Sequence, residues 1–401
     1  MDSPRFMDKR QLLAICICFC LMVLIATLTL GVQPVYVVRL GADAATTGIY
    51  LAFNFLCVTI GNVAGGWLSD RFGQRKRITL IGYLLWIPAS LLMTQATTVG
   101  TIILTSGLMW LVGGIPIGAL NGIIGLSAGA NERGRVFGWV GMAGGLGGLI
   151  AGLIGGRIAE EWGFNSLFVL MAILASVMFL ITLYIRNVTS MPVEPQPQHE
   201  SKDAIVVTGS VGSLVYLLLI ANLIARLGPT TSDLGRPLVM LQLGLDATGV
   251  SNAIAFSAAV TLPLPLIMGW LSDRIGRKFL LIACFGAGSL GVLLLIVASV
   301  PWHFWFSAAL VSIVNASGGV GQAYIADLSE ARLIGRSLSL YNSSNFIAAV
   351  IGLASAGYVM QAIGINATLV LGAALLFAGI VILLYVQPSA RKMTSNVVKA
   401  A

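Results

Sequence analysis

Charge is what this sequence has least of. Lys, Arg, Asp and Glu make up 9% of its 401 residues, against roughly 25% in soluble domains. Hydrophobic residues make up 57%, and the mean hydropathy is +0.94. A water-soluble globule is excluded. Histidine occurs only at His199 and His303, and no spacing of His, Cys and carboxylates suits a metal, so none is expected. The five cysteines (Cys16, Cys18, Cys20, Cys57, Cys284) all fall inside apolar runs. That is the place of small buried hydrophobes, not of a disulfide framework. The absence of a nucleotide-binding loop excludes an ATP-driven pump. With no catalytic constellation or cofactor motif, the chain reads as neither an enzyme nor a cofactor binder. The net charge of +8 is scattered among short loops, so no nucleic-acid partner is expected.

What is abundant is the apolar run, each near the roughly 20 residues that cross a bilayer as a helix. We count twelve, over 12–36, 47–69, 78–96, 101–126, 135–157, 165–186, 213–240, 249–271, 279–299, 303–327, 335–360 and 365–386. The first follows basic residues as a signal peptide would, yet it opens a series of like segments and reads as helix 1. The 47 glycines suit membrane helices, where they let backbones approach. Between crossings 6 and 7, Pro192, Pro195, Pro197 and neighbouring polar residues mark a flexible linker. The two ends are expected to be short tails without a separate soluble domain.

The basic residues set the sidedness. With the N-terminus in the cytoplasm, 19 of the 23 Lys and Arg lie inside, Arg39 and Arg157 lie outside, and Arg226 and Arg236 fall within helix 7. The positive-inside rule predicts this orientation. The chain is thus expected to be a multi-pass protein of the inner or plasma membrane, with both termini cytoplasmic.

One charged turn occurs twice. Gly66-Trp67-Leu68-Ser69-Asp70-Arg71-Phe72-Gly73-Gln74-Arg75-Lys76-Arg77 returns 203 residues later as Gly269-Trp270-Leu271-Ser272-Asp273-Arg274-Ile275-Gly276-Arg277-Lys278. The period extends beyond the turn: Pro34 matches Pro237, and Leu40, Gly41 and Asp43 match Leu243, Gly244 and Asp246. The expected fold is an all-α membrane protein of twelve transmembrane helices in two parallel six-helix repeats, with halves at 1–187 and 210–401 and a cytoplasmic linker at 188–209. Two such halves about a central cavity form the alternating-access design of secondary transporters.

On these motifs the chain resembles a member of the major facilitator superfamily over essentially its whole length. The family's loop signature is Gly-x-x-x-Asp-Arg-x-Gly followed by two basic residues. The first copy matches it at Gly66, Asp70, Arg71, Gly73 and Arg75, with Gln74 departing; the second is complete at Gly269, Asp273, Arg274, Gly276, Arg277 and Lys278. Two signatures of the family's drug–proton antiporters are altered. Trp110 stands where their helix 4 carries an arginine, and the run Gly148 to Gly156 lacks their helix 5 proline. The resemblance implies a major facilitator fold that works as a monomer among membrane lipids. It also implies that helices 1, 4, 7 and 10 line the cavity, which places Asn121, Arg226 and Asn315 at the substrate.

Helix 7 is unusual in carrying Arg226, Asp233 and Arg236 together with Gly228, Pro229 and Pro237. Arg226 falls about midway through the apolar slab, and an arginine at that depth is normally directed at a cavity or a counter-charge. Two readings stand: Arg226 meets substrate, or it pairs with Asp233 across a kink. Gly228 and Pro229 are expected to break the helix and free carbonyls. Trp110, Asn222 and Asn345 are further substrate-binding candidates; Asn54, Ser257, Gln322 and Asn342 complete the embedded polar set. Asp233 and Asp327 are the proton-coupling candidates. The twin turns are read as a conformational latch, with Gly66 and Gly269 allowing the halves to approach and Asp70 and Asp273 meeting a helix N-terminus or an arginine. Glu132, Arg133, Arg135, Glu330, Arg332 and Arg336 are implied to extend that charge network.

The function expected is secondary active transport of a small organic solute, with export favoured and proton coupling left open. Uptake or exchange of an organic anion held by Arg226 is the alternative. A non-transporting membrane sensor is the third reading; it predicts ligand binding without flux.

Overall fold

The computed structural model describes residues 9–127, 133–185, 213–329 and 334–386, which are helical between turns. The helices are α1 (Lys9–Thr27), α2 (Gln33–Arg39), α3 (Ala44–Phe72), α4 (Arg75–Leu92), α5 (Val99–Ser127), α6 (Arg133–Glu161), α7 (Phe164–Tyr184) and α8 (Ser213–Gln242). They continue with α9 (Ala247–Thr261), α10 (Leu264–Ile275), α11 (Arg277–Leu294), α12 (Pro301–Ala316), α13 (Gly318–Leu328), α14 (Ile334–Ile363) and α15 (Ile365–Tyr385). A π turn, Leu28–Val32, joins α1 to α2 in one span. Among the described residues 11 helices are long and apolar enough to cross a membrane, and the pair α9–α10, bent by 44°, raises this to as many as 12. Large apolar side chains such as Val63, Leu104, Leu290 and Phe377 point outward, as a lipid-facing surface requires. The linker between crossings 6 and 7 lies outside the described residues. So do Glu132, Glu330 and Arg332 and the side chains of Arg133, Arg135 and Arg336.

Glycine sets how closely these helices pack. A Cβ added at Gly65 of α3 would lie 2.1 Å from the Ile115 carbonyl oxygen of α5, and one at Gly147 of α6 would lie 2.0 Å from that of Cys20 in α1. In lipid, where tails are as apolar as leucine, such close backbone contact supplies the attraction between helices.

Several local devices occur twice. Asp43 caps α3 by accepting the Thr46 amide at 2.8 Å, and Asp246 caps α9 by accepting that of Gly249 at 2.9 Å. The short acidic side chain takes a helix-end N–H that no intrahelical carbonyl can reach. The chain leaves α3 through Gly73 at φ +63° and enters α11 through Gly276 at φ +89°, where a side chain would clash. Lys76 donates to the Leu183 carbonyl near the end of α7 at 2.7 Å, and Lys278 to the Leu384 carbonyl near the end of α15 at 2.8 Å. Each lysine meets orphan carbonyls at the negative end of a helix.

The structure corrects one expectation. Helix α8 is continuous for 30 residues through both Pro229 and Pro237. Thr230, Thr231 and Ser232 turn their hydroxyls back onto the carbonyls of Leu227, Gly228 and Pro229 at 2.6–2.9 Å. Helix α15 holds the segment from behind, since a Cβ at Gly228 would lie 2.6 Å from the Gly372 carbonyl oxygen. The prolines deprive the carbonyls of Ala225 and Asp233 of their helical N–H partners, and the packing of α15 against the segment holds the helix continuous across that gap.

Candidate functional site

Helices α1–α7 meet α8–α15 chiefly where α6 packs on α9 and α3 on α14. A Cβ at Gly152 would lie 2.4 Å from the Ala255 amide nitrogen, and one at Gly156 would lie 2.4 Å from the Ala247 carbonyl oxygen. Ser251 locks the α6–α9 pair, accepting from the Gly156 amide at 3.0 Å and donating to the Gly152 carbonyl at 2.5 Å. On the other seam, a Cβ at Gly48 would lie 2.6 Å from the Leu353 carbonyl oxygen, and one at Gly357 would lie 2.6 Å from that of Ala44. Polar ties finish the seal: Gln361 donates to Asp43 at 2.8 Å, and Glu160 accepts from Arg39 at 2.5 Å and from the Ala247 amide at 2.9 Å. These contacts lie at the end of the bundle opposite the twin charged turns.

Behind this seal lies a cavity of about 340 Å³, within the roughly 300–1,000 Å³ span of small-molecule sites. Thr27, Leu30, Gly31, Leu51 and Phe55 form one wall, and Asp233, Arg236, Ile254, Ser257, Ser312 and Asn315 much of the other. Asn315 also lines a second cavity of about 490 Å³ that reaches Asp273 and Arg277. The residues that line this second cavity all belong to α10–α13. The π turn sits at this wall, where Gly31 receives Ile254: a Cβ there would lie 2.2 Å from the Ile254 Cδ1. Such single-turn π segments are frequent at functional sites.

Asp233 and Arg236 are one turn apart on the same face of α8 and attract each other, yet they form no ion pair within 4.0 Å. Among the described residues the ion pairs are Arg39–Glu160, Arg75–Asp70 and Arg277–Asp327. Asp233 is exposed, but to the cavity at the heart of the molecule. The Arg236 Nε and Nη2 are sealed from solvent with no hydrogen-bond partner among the described residues. Next to the π turn, Gln33 is 1% exposed and its amide is likewise unpartnered.

The residues singled out from the sequence separate into distinct places. Arg226 donates to Asn315 at 2.9 Å and lies beside Tyr341; its charge is not spent on Asp233. Asn315 stands in the cavity wall itself. Asn222 bridges α8 to α14, donating to Ser344 at 3.1 Å and to Asn345 at 2.9 Å. Trp110 is packed into the core with its indole N–H unpartnered, while Asn121 is exposed. Neither is in the cavity wall, to which α5 contributes no residue. Asn54 accepts from Ser106 at 3.1 Å, Ser257 bonds Ser312, and Gln322 donates to Asn342 at 3.1 Å. Arg236 and Ser312 line the cavity and were not among the candidates singled out from the sequence. Arg236 could have been found, because its i, i+3 spacing from Asp233 puts both on one helix face.

At the twin turns, Asp70 accepts from Arg75 at 2.6 Å within its own turn, and the Arg75 side chain lies along Gly122 of α5. Arg277 pairs with Asp327 at 2.5 Å and also donates to the Ala323 carbonyl. Asp273 is exposed. Arg71 stacks over Trp67 at 5.0 Å and Arg274 over Trp270 at 4.0 Å, a cation–π attraction on exposed rings. The approach expected at Gly66 and Gly269 is not made here: among the described residues, nothing beyond the glycine's own helix lies within 4 Å of a Cβ built at either. The reason is geometric, because the seal lies at the other end of the bundle.

The model of the Major Facilitator Superfamily matches residues 15–231 and 218–400. Multidrug resistance protein MdtG of Citrobacter koseri is 28% identical over 337 residues, covering 80% of this chain and 78% of that protein. MdtG of Salmonella arizonae is 27% identical over 336 residues, with the same coverage. Among solved structures, a mutant of nucleoside transporter NupG superposes with a TM-score of 0.77 at 14% identity, over 94% of this chain and 99% of that one. Peptide transporter POT in complex with sulfate gives 0.72 at 15%, over 96% and 95%. These two share the fold.

Proposed function

The chain belongs to the Major Facilitator Superfamily, and from that premise we propose that it exports a small organic solute by alternating access between two six-helix halves, 1–187 and 210–401. The observation that carries this reading is the central cavity, walled by residues from both halves, with close inter-half contacts among the described residues at the end opposite the charged turns. Solute enters from the open end, the halves rock about it, and the glycine seams part while the turns at Asp70 and Asp273 close. The basic turns put the open end in the cytoplasm, with both termini on that side. In this reading the present state is the one in which an exporter loads. Similarity to proteins named for multidrug resistance supports the direction.

Within this reading, Asp233 and Asn315 contact solute in the cavity, and Arg226 acts through Asn315. Asn222 and Asn345 hold α8 to α14, and Trp110 serves packing. Asp233 is the acidic side chain in the cavity wall and the group at which a proton would join the cycle. Asp327 is engaged by Arg277 and belongs to the latch. Counterflow of a solute panel in proteoliposomes, with and without an imposed pH gradient, tests the proposal. Flux that saturates and exchanges across the membrane is expected; solute binding with no flux would make the protein a sensor instead.

A further inference from the structure

We propose that Arg236 is the recognition point for a carboxylate, and that the solute is an organic monoanion with an apolar body. This rests on the transport reading above and names its substrate class. The cavity wall is largely apolar, with Leu30, Leu51, Phe55, Val250, Ile254 and Leu353 facing the space. Against that background Arg236 is anomalous. Two of its guanidinium nitrogens are buried without an acceptor among the described residues, and the carboxylate one turn away is not among the ion pairs within 4.0 Å. A guanidinium removed from bulk water is costly unless acceptors and a counter-charge meet it. Water would supply acceptors but leave the charge unpaired. A carboxylate supplies both once the side chain turns its fork, whose Nε and Nη2 are closed to solvent in this state, toward the cavity that Arg236 lines, since its two oxygens match the guanidinium in one plane.

The remaining polar groups are few and well spread. Ser257 and Ser312 are joined to each other, and Asn315 accepts from Arg226. Apolar walls with a small number of placed polar groups fix a ligand's orientation at the polar point. Asp233, on the same helix face, repels the bound anion and keeps its hold on Arg236 releasable, as a carrier requires. An anion also leaves an inside-negative cell with the membrane potential behind it. Anion recognition and export therefore agree without a second driving ion.

The test uses three probes that share one body and differ in head group: 4-phenylbutyrate, 4-phenylbutanol and 4-phenylbutylamine. Binding to the full-length protein in nanodiscs is measured by calorimetry. The carboxylate is expected to bind at least about tenfold more tightly than the alcohol or the amine, the scale of a charge-assisted bidentate contact. Arg236→Gln should remove that preference while leaving alcohol binding in place. Arg236→Lys, which keeps charge but not the fork, should retain part of it and guards against a folding defect. Equal binding of the three probes, or no binding of any, overturns the assignment; so does a preference lost in Arg226→Gln but kept in R236Q. Neutral-solute counterflow that persists when the carboxylate preference is absent leaves the transport reading standing. Failure of all flux strikes that reading instead.

Discussion

Gln361, in the last turn of α14, donates its amide to Asp43, the residue that caps α3, across 2.8 Å. One carboxylate thereby starts a helix and ties two distant segments together at the sealed end. Asp43→Ala should remove both contacts and shift the population toward opening at that end. Because Asp43 is exposed, the expected shift is modest, roughly two- to fivefold. Electron–electron spin distances between labels at Trp162 and Leu243 would read it as a growing long-distance component. An unchanged distribution would remove the tie from the seal.

The same carboxylate sets a pH window. Bonds from Thr46, and a weaker one from Gln361, hold the Asp43 carboxyl below its ordinary value of 3.8. A group whose folded pKa is depressed stabilises fully above the unfolded value and loses that contribution as pH falls through the folded one. The tie is therefore intact at any pH above about 5 and weakens only below about 4. Label distances at this end should be constant from about pH 5 to about pH 8. A transition in that window that disappears in Asp43→Asn would contradict the assignment.

The α6–α9 seam should be far less tolerant than its polar rim. At Gly156 an added methyl meets the Ala247 carbonyl oxygen at 2.4 Å and the Thr248 Cα at 2.4 Å, and backbone cannot step aside as a side chain can. Overpacking of this kind costs about 1–3 kcal/mol, a roughly five- to 150-fold change in a two-state ratio. Gly156→Ala should favour the state open at that end and slow counterflow. Gly66→Ala, where nothing among the described residues beyond its own helix lies within 4 Å in this state, should leave the sealed state's thermal midpoint unchanged. The reverse order of effects would place the seam elsewhere.

The membrane class, the positions of the helices and the paired turns were legible because hydropathy and a 203-residue period need no tertiary context. Three-dimensional choices were not. Pro229 reads as a breaker in sequence, but α8 runs through it with Gly372 of α15 packed against Gly228. Arg226 and Arg236 are both arginines in one apolar run, and only the packing tells that the first reaches Asn315 while the second is left without an acceptor. Trp110 and Asn121 are not in the wall of this cavity, which draws on α1, α3, α8, α9, α12 and α14 and not on α5, a question of helix rotation that periodicity in an all-apolar helix does not answer.

Trp110 gives a sharp check on that distinction. Its side chain is 8% exposed within the core, and its indole N–H has no partner among the described residues. Trp110→Ala should cost about 3–5 kcal/mol through the cavity it leaves. Trp110→Phe keeps most of the volume and removes the unpaired donor, so it should hold stability within about 1.5 kcal/mol. Solute affinity measured on the Phe variant should match the parent protein. Affinity that falls tenfold with an unchanged thermal midpoint would return Trp110 to the binding site.

Asp70 should govern rate and not affinity. In this state its exposed carboxylate is a hydrogen-bond partner of Arg75, whose side chain is mostly buried while Nε and Nη1 have no partner among the described residues. Asp70 lies at the charged end of the bundle, away from the wall formed by Asp233, Arg236 and Asn315, so its loss cannot touch solute directly. Asp70→Asn keeps the shape but withdraws the charge from Arg75. The energies of both end states change, and with them the barrier between them. Screening at an exposed carboxylate limits the effect, so counterflow should slow by roughly two- to tenfold while the solute Kd stays within error. High salt should shrink the difference between parent and variant, because the lost term is an exposed charge interaction. Weakened binding with an unchanged exchange rate would deny the turn its part in the conformational cycle.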